Sequence, residues 1–400
     1  MTRKAVLTLV LGVVQEAVLA RRLYVCFGRR RLPYCMLQIW EMDMRHAGLE
    51  AGDFVARMGY IADSRNARTQ SYSRLRDPGV MQAAMATTGS EASEPRDLVY
   101  SLLGIVSGAS AALIGSDYRL PLAEIFARAT YASIIERGDF AILGTLYFFD
   151  TTERTSGLPT WAFDFMVRQT GDLMPFHNAS YYPIIPANHD SIVANVGLEA
   201  NILLEVTGTA DAIYEVEAGV VQSIQGNIEK ASLARIRTIA LEAFKRRYSS
   251  ATATEVAAVA SKLATVLVPT EVSDKYTAAT IAYLFGSWSG ICGDGRSHLG
   301  EDSLAGLAGR EAFRHFWDGF WWKANFTSER PSFVSTTSGM IGLAPGTIDV
   351  GDSVVRVRGS TLQLVLRRSG DYYTFRGLAY VHCPDDEAED VAASETISIR

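Results

Sequence analysis

The strongest constraint on the fold is the pattern of residues 331–382, in which apolar and polar side chains alternate. A period of two places the apolar side chains on one face of an extended strand, which a helix cannot do. Glycines divide this stretch at intervals typical of strands joined by tight turns. They are Gly339, Gly346, Gly351, Gly359 and Gly370. The C-terminal region is therefore predicted to be a small antiparallel β module, either a meander or a barrel.

A second alternating stretch lies far upstream, at residues 199–217, and is predicted to form strands around a turn at Gly208. We expect these strands to pair with those of 333–382, so that the module is discontinuous. Residues 228–322 then form helices inserted on its surface, because their apolar side chains recur at helical spacing. One shared core is predicted, made of Leu203, Val206, Ile341, Leu343, Val354, Leu364, Leu366 and Val381.

The N-terminal half has helical rather than alternating patterns. Residues 5–22 are apolar nearly all round and are predicted to form a buried helix, followed by a strand at 23–27. Residues 97–105 and 120–137 are predicted to be helices, the second with one apolar face and with Pro121 in its first turn. The fold class predicted for the chain is therefore α+β.

Composition excludes several classes of protein. Hydrophobic residues make up 48% of the chain and charged residues 20%, so the chain is not intrinsically disordered. The net charge of −6 argues against a nucleic-acid partner, although Arg21, Arg22 and residues 29–31 form a local basic run. Scattered cysteines fit a reducing, cytoplasmic compartment, and no apolar run reaches the ~18 residues of a membrane span. The alternative, a secretory signal in the apolar N-terminal stretch, is interrupted by Gln15 and Glu16.

Motifs that carry chemistry are scarce. The sequence has no GxxxxGK[ST] phosphate loop and no GxGxxG after a strand, so no cofactor is expected. Cys292 and His298 lack the two further ligands that a zinc site needs, so no metal is expected either. Glu16 is the candidate catalytic residue, because a carboxylate on an apolar helix is costly to bury and such groups are enriched at active sites. The alternative is a structural ion pair with Arg21 or Arg22.

Four regions carry motifs in a recognisable order. They are residues 13–20 (VVQEAVLA), 94–104 (EPRDLVYSLLG) with the Asp-Tyr pair at 117–118, 158–164 (LPTWAFD), and the glycine-containing β segments 208–213, 339–345, 351–352 and 377–382. Together they resemble the fungal heterokaryon-incompatibility (HET) domain family. The family motifs read W-x-x-Q-E-x-x-x-A, D-P-R-D-K-V-Y-A-L-L-G with a following P-D-Y, and L-P-S-W-V-P-D-W, and a β-rich tail often accompanies them. The matching residues are Gln15, Glu16, Pro95, Arg96, Asp97, Tyr100, Gly104, Asp117, Tyr118, Pro159, Trp161 and Asp164.

The resemblance implies a function in fungal non-self recognition and cell-death signalling, through protein–protein contacts. It also implies a distant likeness to TIR domains, some of which cleave NAD with a glutamate in the corresponding helix. The alternative is therefore an NAD-cleaving effector using Glu16, or an inactive remnant of one. The family's opening L-S-Y-x-W-G segment is not found before Met1, and Gly12 stands where the family has tryptophan. The domains implied are a truncated TIR-like α/β portion at 1–168, a connector with first strands at 169–225, a helical insertion at 226–330, the β module at 331–383 and a tail at 384–400.

The central motif also predicts particular contacts. Asp97 falls at a helix start, where a carboxylate complements the helix macrodipole and caps free N–H groups. Arg96 is expected to bridge to a carboxylate, Asp164 being one candidate, and Trp161 is expected to lie near Arg96 and Asp97. Without the family's opening strands, residues 5–20 are expected to expose an apolar face, which predicts protein partners or self-association.

Overall fold

The computed structural model of the chain describes residues 16–27, 29–36, 39, 79–80, 83, 92–106, 108–137, 140–144, 154–166, 192–196, 202–217, 230–247, 332–357, 363–382 and 394–400. It divides into two compact units. The N-terminal unit comprises residues 1–138, 149–172 and 196–202, and the barrel unit comprises 139–148, 173–195 and 203–400. Helices and a mostly antiparallel sheet are both present, so the α+β class is confirmed.

The described residues of the N-terminal unit form three helices and one hairpin. These elements are β1 (Tyr24–Phe27), β2 (Arg30–Pro33), α1 (Asp97–Tyr100), α2 (Gly108–Ile114) and α3 (Leu122–Arg137). They surround an apolar cluster, called here the N-terminal cluster. Its buried members are Ala17, Val18, Tyr34, Val80, Ala83, Val99, Tyr100, Leu102, Ile105, Val106, Ile114, Ile125, Phe126, Ala129 and Ala132.

The longest helix of this unit, α3, begins where Pro121 predicts. The carbonyl oxygen of Pro121 accepts hydrogen bonds from the backbone N–H groups of Glu124 and Ile125, at 3.1 and 3.2 Å. The single apolar face predicted for the helix is wrong, because the whole run 123–127 is buried. Small side chains allow the other faces of α3 to pack closely as well. The buried Glu124 forms an ion pair with Arg128 at 2.6 Å.

The barrel unit is built on an eight-stranded sheet. Its elements are α4 (Ala141–Gly144), β3 (Ile192–Val196), β4 (Ile202–Glu217), α5 (Lys230–Arg247), β5 (Ser332–Thr336), β6 (Ile341–Ala344), β7 (Ser353–Val357), β8 (Gln363–Ser369), β9 (Tyr372–His382) and β10 (Glu395–Ile399). Consecutive antiparallel pairings join β4 to β5, β6, β9, β8 and β7, and β7 pairs with β4 again. These strands therefore close into a barrel, which removes most exposed strand edges.

Strand β4 confirms that the module is discontinuous. It pairs antiparallel with β5 and β7, so residues from far upstream complete the C-terminal sheet. Helix α5 packs against β5, as predicted for the first part of the inserted helices. The segment predicted as a tail contains β10, which pairs antiparallel with β4 and meets β9 in parallel at Ile399.

Gly208 does not form the predicted turn. Strand β4 continues through it, and Gly208 lies opposite Val357 of β7 and Glu395 of β10. A Cβ atom on Gly208 would lie 2.3 Å from the carbonyl oxygen of Arg356. Glycine is needed here because two backbones approach closely. A turn and a close approach favour the same residue, so the local pattern does not separate them.

The predicted single core of the barrel is also wrong. One buried cluster contains Ile213, Val334, Met340, Ala344, Ile348, Val354, Val365, Ala379 and Val381. Val354 is opposite Val365, whereas Leu364 is opposite Val355. Because neighbouring side chains of a strand point to opposite faces, Leu364 and Val365 belong to different faces, and both are fully buried. Val354 and Leu364, both members of the predicted core, therefore lie on different buried faces of the sheet.

Some predictions lie outside the described residues. They are the helix at 5–15 with its self-associating face, the motif residue Gln15, the helices predicted between 248 and 322, and the side chains of Cys292 and His298. Of the N-terminal helix, the structure describes a last turn at residues 16–19.

The turn before β7 is held by a buried carboxylate, Asp352, which is 3% exposed. Arg367 donates from Nε to Oδ1 at 2.7 Å and from Nη2 to Oδ2 at 2.9 Å, and the backbone N–H of Asp349 donates to Oδ2 at 2.9 Å. Burial raises the pKa of Asp352, but the hydrogen bonds from Arg367 and Asp349 outweigh it and hold the pKa below its ordinary value of 3.8.

We expect Asp352→Asn to lower the free energy of unfolding at neutral pH by about 1–3 kcal/mol. The folded state binds the Asp352 proton less tightly than the unfolded chain does. Its stabilising contribution is therefore complete above the ordinary pKa and is lost as the pH falls through the lowered pKa. Urea unfolding at neutral pH and below the ordinary pKa should show a smaller acid loss in the variant than in the wild type. Asp349→Asn, which alters an exposed side chain near the same arginine, is the control, and equal acid losses in Asp352→Asn and wild type would refute the prediction.

Candidate functional site

The central motif forms a short helix followed by tight turns. In α1 the backbone N–H of Tyr100 donates to the carbonyl of Arg96 at 2.9 Å. Beyond Ser101 most of the backbone bonds span three residues: Leu102 N–H donates to the carbonyl of Val99 and Ile105 N–H to that of Leu102, both at 2.9 Å. The helix predicted at 97–105 is therefore shorter than expected, and Gly104 lies in the turns. These turns place Val99, Leu102 and Ile105 in the N-terminal cluster.

Asp97 does not cap the helix. Arg96 occupies the N-cap position and no side chain there accepts a backbone hydrogen bond. Asp97 lies in the first turn, as predicted, and its Oδ1 accepts a hydrogen bond from the Tyr118 hydroxyl at 2.5 Å. This hydrogen bond raises the pKa of Tyr118, because it stabilises the protonated phenol beside a carboxylate. The Asp97–Tyr118 hydrogen bond therefore joins two motif segments at the protein surface.

Two tyrosine rings connect the Asp97–Tyr118 hydrogen bond to the N-terminal cluster. The rings of Tyr100 and Tyr118 meet edge to face, with centroids 4.9 Å apart. The hydroxyl of the buried Tyr100 donates to the carbonyl oxygen of Asp117 at 2.8 Å. Burial raises the pKa of Tyr100. The motif tyrosines therefore connect the surface carboxylate of Asp97 to the N-terminal cluster.

Two arginines complete the polar surface of the junction. Arg96 pairs with Glu94 at 2.7 Å and donates from Nε to the carbonyl of Leu120 at 3.2 Å. Hydrogen bonds from Arg119 hold the pKa of Asp117 at about 2. The Arg119 side chain is 91% exposed, so solvent screens this pair. Residues 94–100 and 117–120 together form what we call the motif junction.

The third motif forms a separate, self-contained loop over residues 154–166. Asp164 accepts hydrogen bonds from the backbone N–H and the hydroxyl of Thr155, at 2.5 and 3.0 Å, and from the backbone N–H of Met166 at 2.9 Å. Arg154 donates from Nη2 to the carbonyls of Pro159 and Ala162, at 2.8 and 2.5 Å. Burial lowers the pKa of Arg154. Arg96 does pair with a carboxylate, as expected, but its partner is Glu94 and not the candidate Asp164, which accepts hydrogen bonds from Thr155 and Met166.

Helix α3 holds the loop in place. The hydroxyl of Thr130 accepts a hydrogen bond from the backbone N–H of Phe163 at 2.9 Å and donates to the carbonyl of Phe126 at 2.8 Å. The rings of Phe126 and Phe165 have centroids 5.1 Å apart. Trp161 is fully buried. The loop is thus a packed part of the N-terminal unit.

Comparisons with family models, curated proteins and solved structures find no match to this chain. The resemblance to the incompatibility family therefore rests on the motif residues themselves and on the contacts that they make.

The structure brings six of the predicted site residues together in the motif junction: Pro95, Arg96, Asp97, Tyr100, Asp117 and Tyr118. Pro159, Trp161 and Asp164 belong to the loop instead. The junction and the loop meet the same N-terminal cluster, through Leu98 of α1 and through Leu158 and Phe165. The predicted proximity of Trp161 to Arg96 and Asp97 stays a prediction.

Glu16 differs from its predicted environment. Its side chain is exposed, whereas the next two residues, Ala17 and Val18, are buried in the N-terminal cluster. A carboxylate in solvent keeps its hydration, so the cost of burial that singled out Glu16 in the sequence does not arise. An exposed carboxylate is nevertheless accessible to a substrate.

Arg154 and Thr130 are residues that sequence reasoning missed. Arg154 lies in a polar loop and Thr130 in the middle of a helix, and neither position has a distinctive pattern around it. Within the part of the chain that the structure describes, no group of three or more His, Cys, Asp or Glu side chains could hold a metal ion. None of the described helices has the length and hydropathy of a membrane span.

Proposed function

We propose that the chain is a heterokaryon-incompatibility-type protein of fungal non-self recognition and cell-death signalling, acting in the cytoplasm through protein–protein contacts. The supporting observation is the motif junction. Motif residues about twenty positions apart contact each other there, through the Asp97–Tyr118 hydrogen bond and the Tyr100–Tyr118 ring pair. Such contacts are expected if the two segments belong to one inherited motif. We propose on the same basis that residues 1–168 are a TIR-like portion of a HET domain lacking its N-terminal part.

The chemistry of the junction favours protein contacts over catalysis. Asp97, Asp117 and Arg96 each bond to a neighbouring protein group. Tyr118 is 54% exposed with its ring resting on Tyr100. Rigid, half-exposed tyrosines are common at protein interfaces, because they offer contact area at low cost in entropy.

One observation supports the alternative of an NAD-cleaving effector. The Glu16 carboxylate is exposed, so a substrate could reach it. The two functions differ in what they need from this residue: cleavage requires the carboxylate, and signalling through contacts does not.

Inducible expression in a fungal host tests the proposal. We expect growth arrest with the wild type and with Glu16→Gln, and loss of arrest with Tyr118→Lys, which places a charge on the junction. Glu395→Gln, an exposed carboxylate of β10, is the matched control for Glu16→Gln. Release of nicotinamide from NAD by the purified chain, abolished by Glu16→Gln, would replace the proposal with the alternative. Absence of arrest in soluble, folded wild type would identify an inactive remnant.

A further inference from the structure

The hairpin formed by β1 and β2 carries an unusual concentration of positive charge. Residues 21–33, called here the arginine hairpin, contain five arginines and no acidic residue, in a chain whose net charge is −6. All five arginine side chains are exposed: Arg21, Arg22, Arg29, Arg30 and Arg31. Arg31 lies over the ring of Tyr24, 4.6 Å from its centroid. The rest of the chain carries a net negative charge, so the hairpin stands out as a positive segment of an acidic protein.

The arginine hairpin is anchored to the protein at its open end. Leu23 packs against the N-terminal cluster and Tyr34 is buried in it. The backbone N–H of Tyr34 donates to the carbonyl of Leu23 at 3.0 Å, which closes the base of the hairpin. Beyond this base, β2 is exposed at all four of its positions. The base is therefore fixed to the protein while the arginine-bearing strand stays accessible.

Apolar side chains are exposed among the arginines. Leu19, Tyr24, Leu32 and Met36 are 44%, 42%, 40% and 51% exposed. In the hairpin register Tyr24 is opposite Pro33 and Cys26 is opposite Arg31, so one face carries both apolar and basic groups. Leu32 and Arg30 share the other face, because they are two residues apart on β2. Both faces of the ribbon therefore combine charge with apolar surface.

The combination of exposed arginines and exposed apolar side chains favours one class of anionic partner over another. A nucleic acid would attract the arginines, but it has no apolar layer in which Leu19, Leu32 and Met36 could be buried. The interface of an anionic bilayer offers phosphate and carboxylate groups to the arginines and acyl chains to the aliphatic side chains. We infer that the arginine hairpin docks the protein on an anionic membrane surface. The hairpin lies on the surface and does not span the membrane, and this inference is independent of the proposed function.

Vesicle co-sedimentation of the full chain tests the inference. We expect binding to vesicles of phosphatidylcholine mixed with phosphatidylserine, weaker binding to phosphatidylcholine alone, and a decrease with added salt. Arg30→Gln together with Arg31→Gln should lower the partition coefficient about 25-fold, at about fivefold for each arginine neutralised. Arg368→Gln, which removes an exposed arginine of β8, is the matched control and should leave the partition coefficient unchanged.

Three further variants separate the possible outcomes. Leu32→Ser should weaken vesicle binding even at high salt, while Val350→Ser, at a residue 65% exposed in the barrel unit, should not. Arg30→Lys with Arg31→Lys should keep binding, because a lipid surface responds to charge rather than to the guanidinium fork. Unchanged binding of the glutamine variant, or no vesicle binding at low salt, would overturn the inference. Binding to an RNA homopolymer in preference to vesicles would assign the hairpin to nucleic acid instead.

Discussion

Replacing Gly208 with alanine is expected to open the barrel at the pairing of β4 with β7. The new methyl carbon would lie 2.3 Å from the carbonyl oxygen of Arg356, 3.0 Å from its carbonyl carbon and 3.3 Å from Cγ1 of Val355. Two of these atoms belong to the backbone of a paired strand and cannot rotate away. Overpacking of this kind costs about 1–3 kcal/mol and occasionally more, and the backbone contact places Gly208→Ala at the upper end.

Hydrogen exchange and thermal unfolding check the Gly208 prediction. Exchange should accelerate at the amides of β7, and the barrel unit should unfold at a lower temperature. Gly108→Ala is the matched control, because its new Cβ would meet no atom within 4 Å at the start of α2. Alanine there should be neutral or stabilise by up to about 1 kcal/mol. A Gly208→Ala protein that exchanges and melts like the wild type would refute the predicted clash.

Replacing Trp161 with alanine is expected to destabilise the N-terminal unit by about 3–5 kcal/mol. The side chain is fully buried, and it is the largest of the buried side chains in the described residues. Truncation would leave a cavity beside a loop that is held by the hydrogen bonds of Phe163 with Thr130 and of Thr155 with Asp164, so we expect the loop to close the cavity only in part. Urea unfolding followed by far-ultraviolet circular dichroism measures the loss.

Trp161→Phe is the matched control for this prediction. The indole Nε1 is buried and has no hydrogen-bond acceptor among the described residues, so removing its N–H group leaves none of them unsatisfied. Phenylalanine keeps most of the side-chain volume, so we expect Trp161→Phe to lower the free energy of unfolding by less than half as much as Trp161→Ala. If phenylalanine proves as damaging as alanine, the indole nitrogen has a role that packing does not explain.

The β-rich part of the fold could be predicted from the sequence, because apolar and polar residues alternate regularly along its strands. This alternation identified the β module, and it identified β4 as a strand of that module far from its partners. The turn at Gly208 could not be corrected from sequence, because the reason for glycine is Arg356 on a strand that becomes a neighbour only after folding. The single core failed for a related reason. Alternation assumes one buried face, whereas Leu364 and Val365 are buried on opposite faces of β8.

The motif residues could be selected from sequence, but most of their contacts could not. Resemblance picked out Asp97 and Tyr118, yet a general capping rule assigned Asp97 to backbone N–H groups rather than to the tyrosine. Arg96 was expected to pair with a carboxylate and does so, but Asp164 was the wrong candidate, because Glu94 is two residues from Arg96 and pairs with it at little cost in chain entropy. Glu16 was selected on the assumption that its helix is buried. Mean hydropathy does not show which side chain of a partly buried turn faces solvent, so the exposure of Glu16 could not be predicted.

The connection between β4 and β5 determines where the chain is expected to tolerate insertions and deletions. Glu217, at the end of β4, pairs with Phe333, at the start of β5, so residues 218–331 leave and re-enter the barrel at adjacent positions. In topological terms, this excursion replaces the loop of a β-hairpin. Loop-closure entropy rises only with the logarithm of loop length, by about 0.6 kcal/mol for each doubling. The barrel is therefore expected to accept excursions of different length at this point, provided that α5, which packs against β5 and donates from Arg246 to Ser335, is kept.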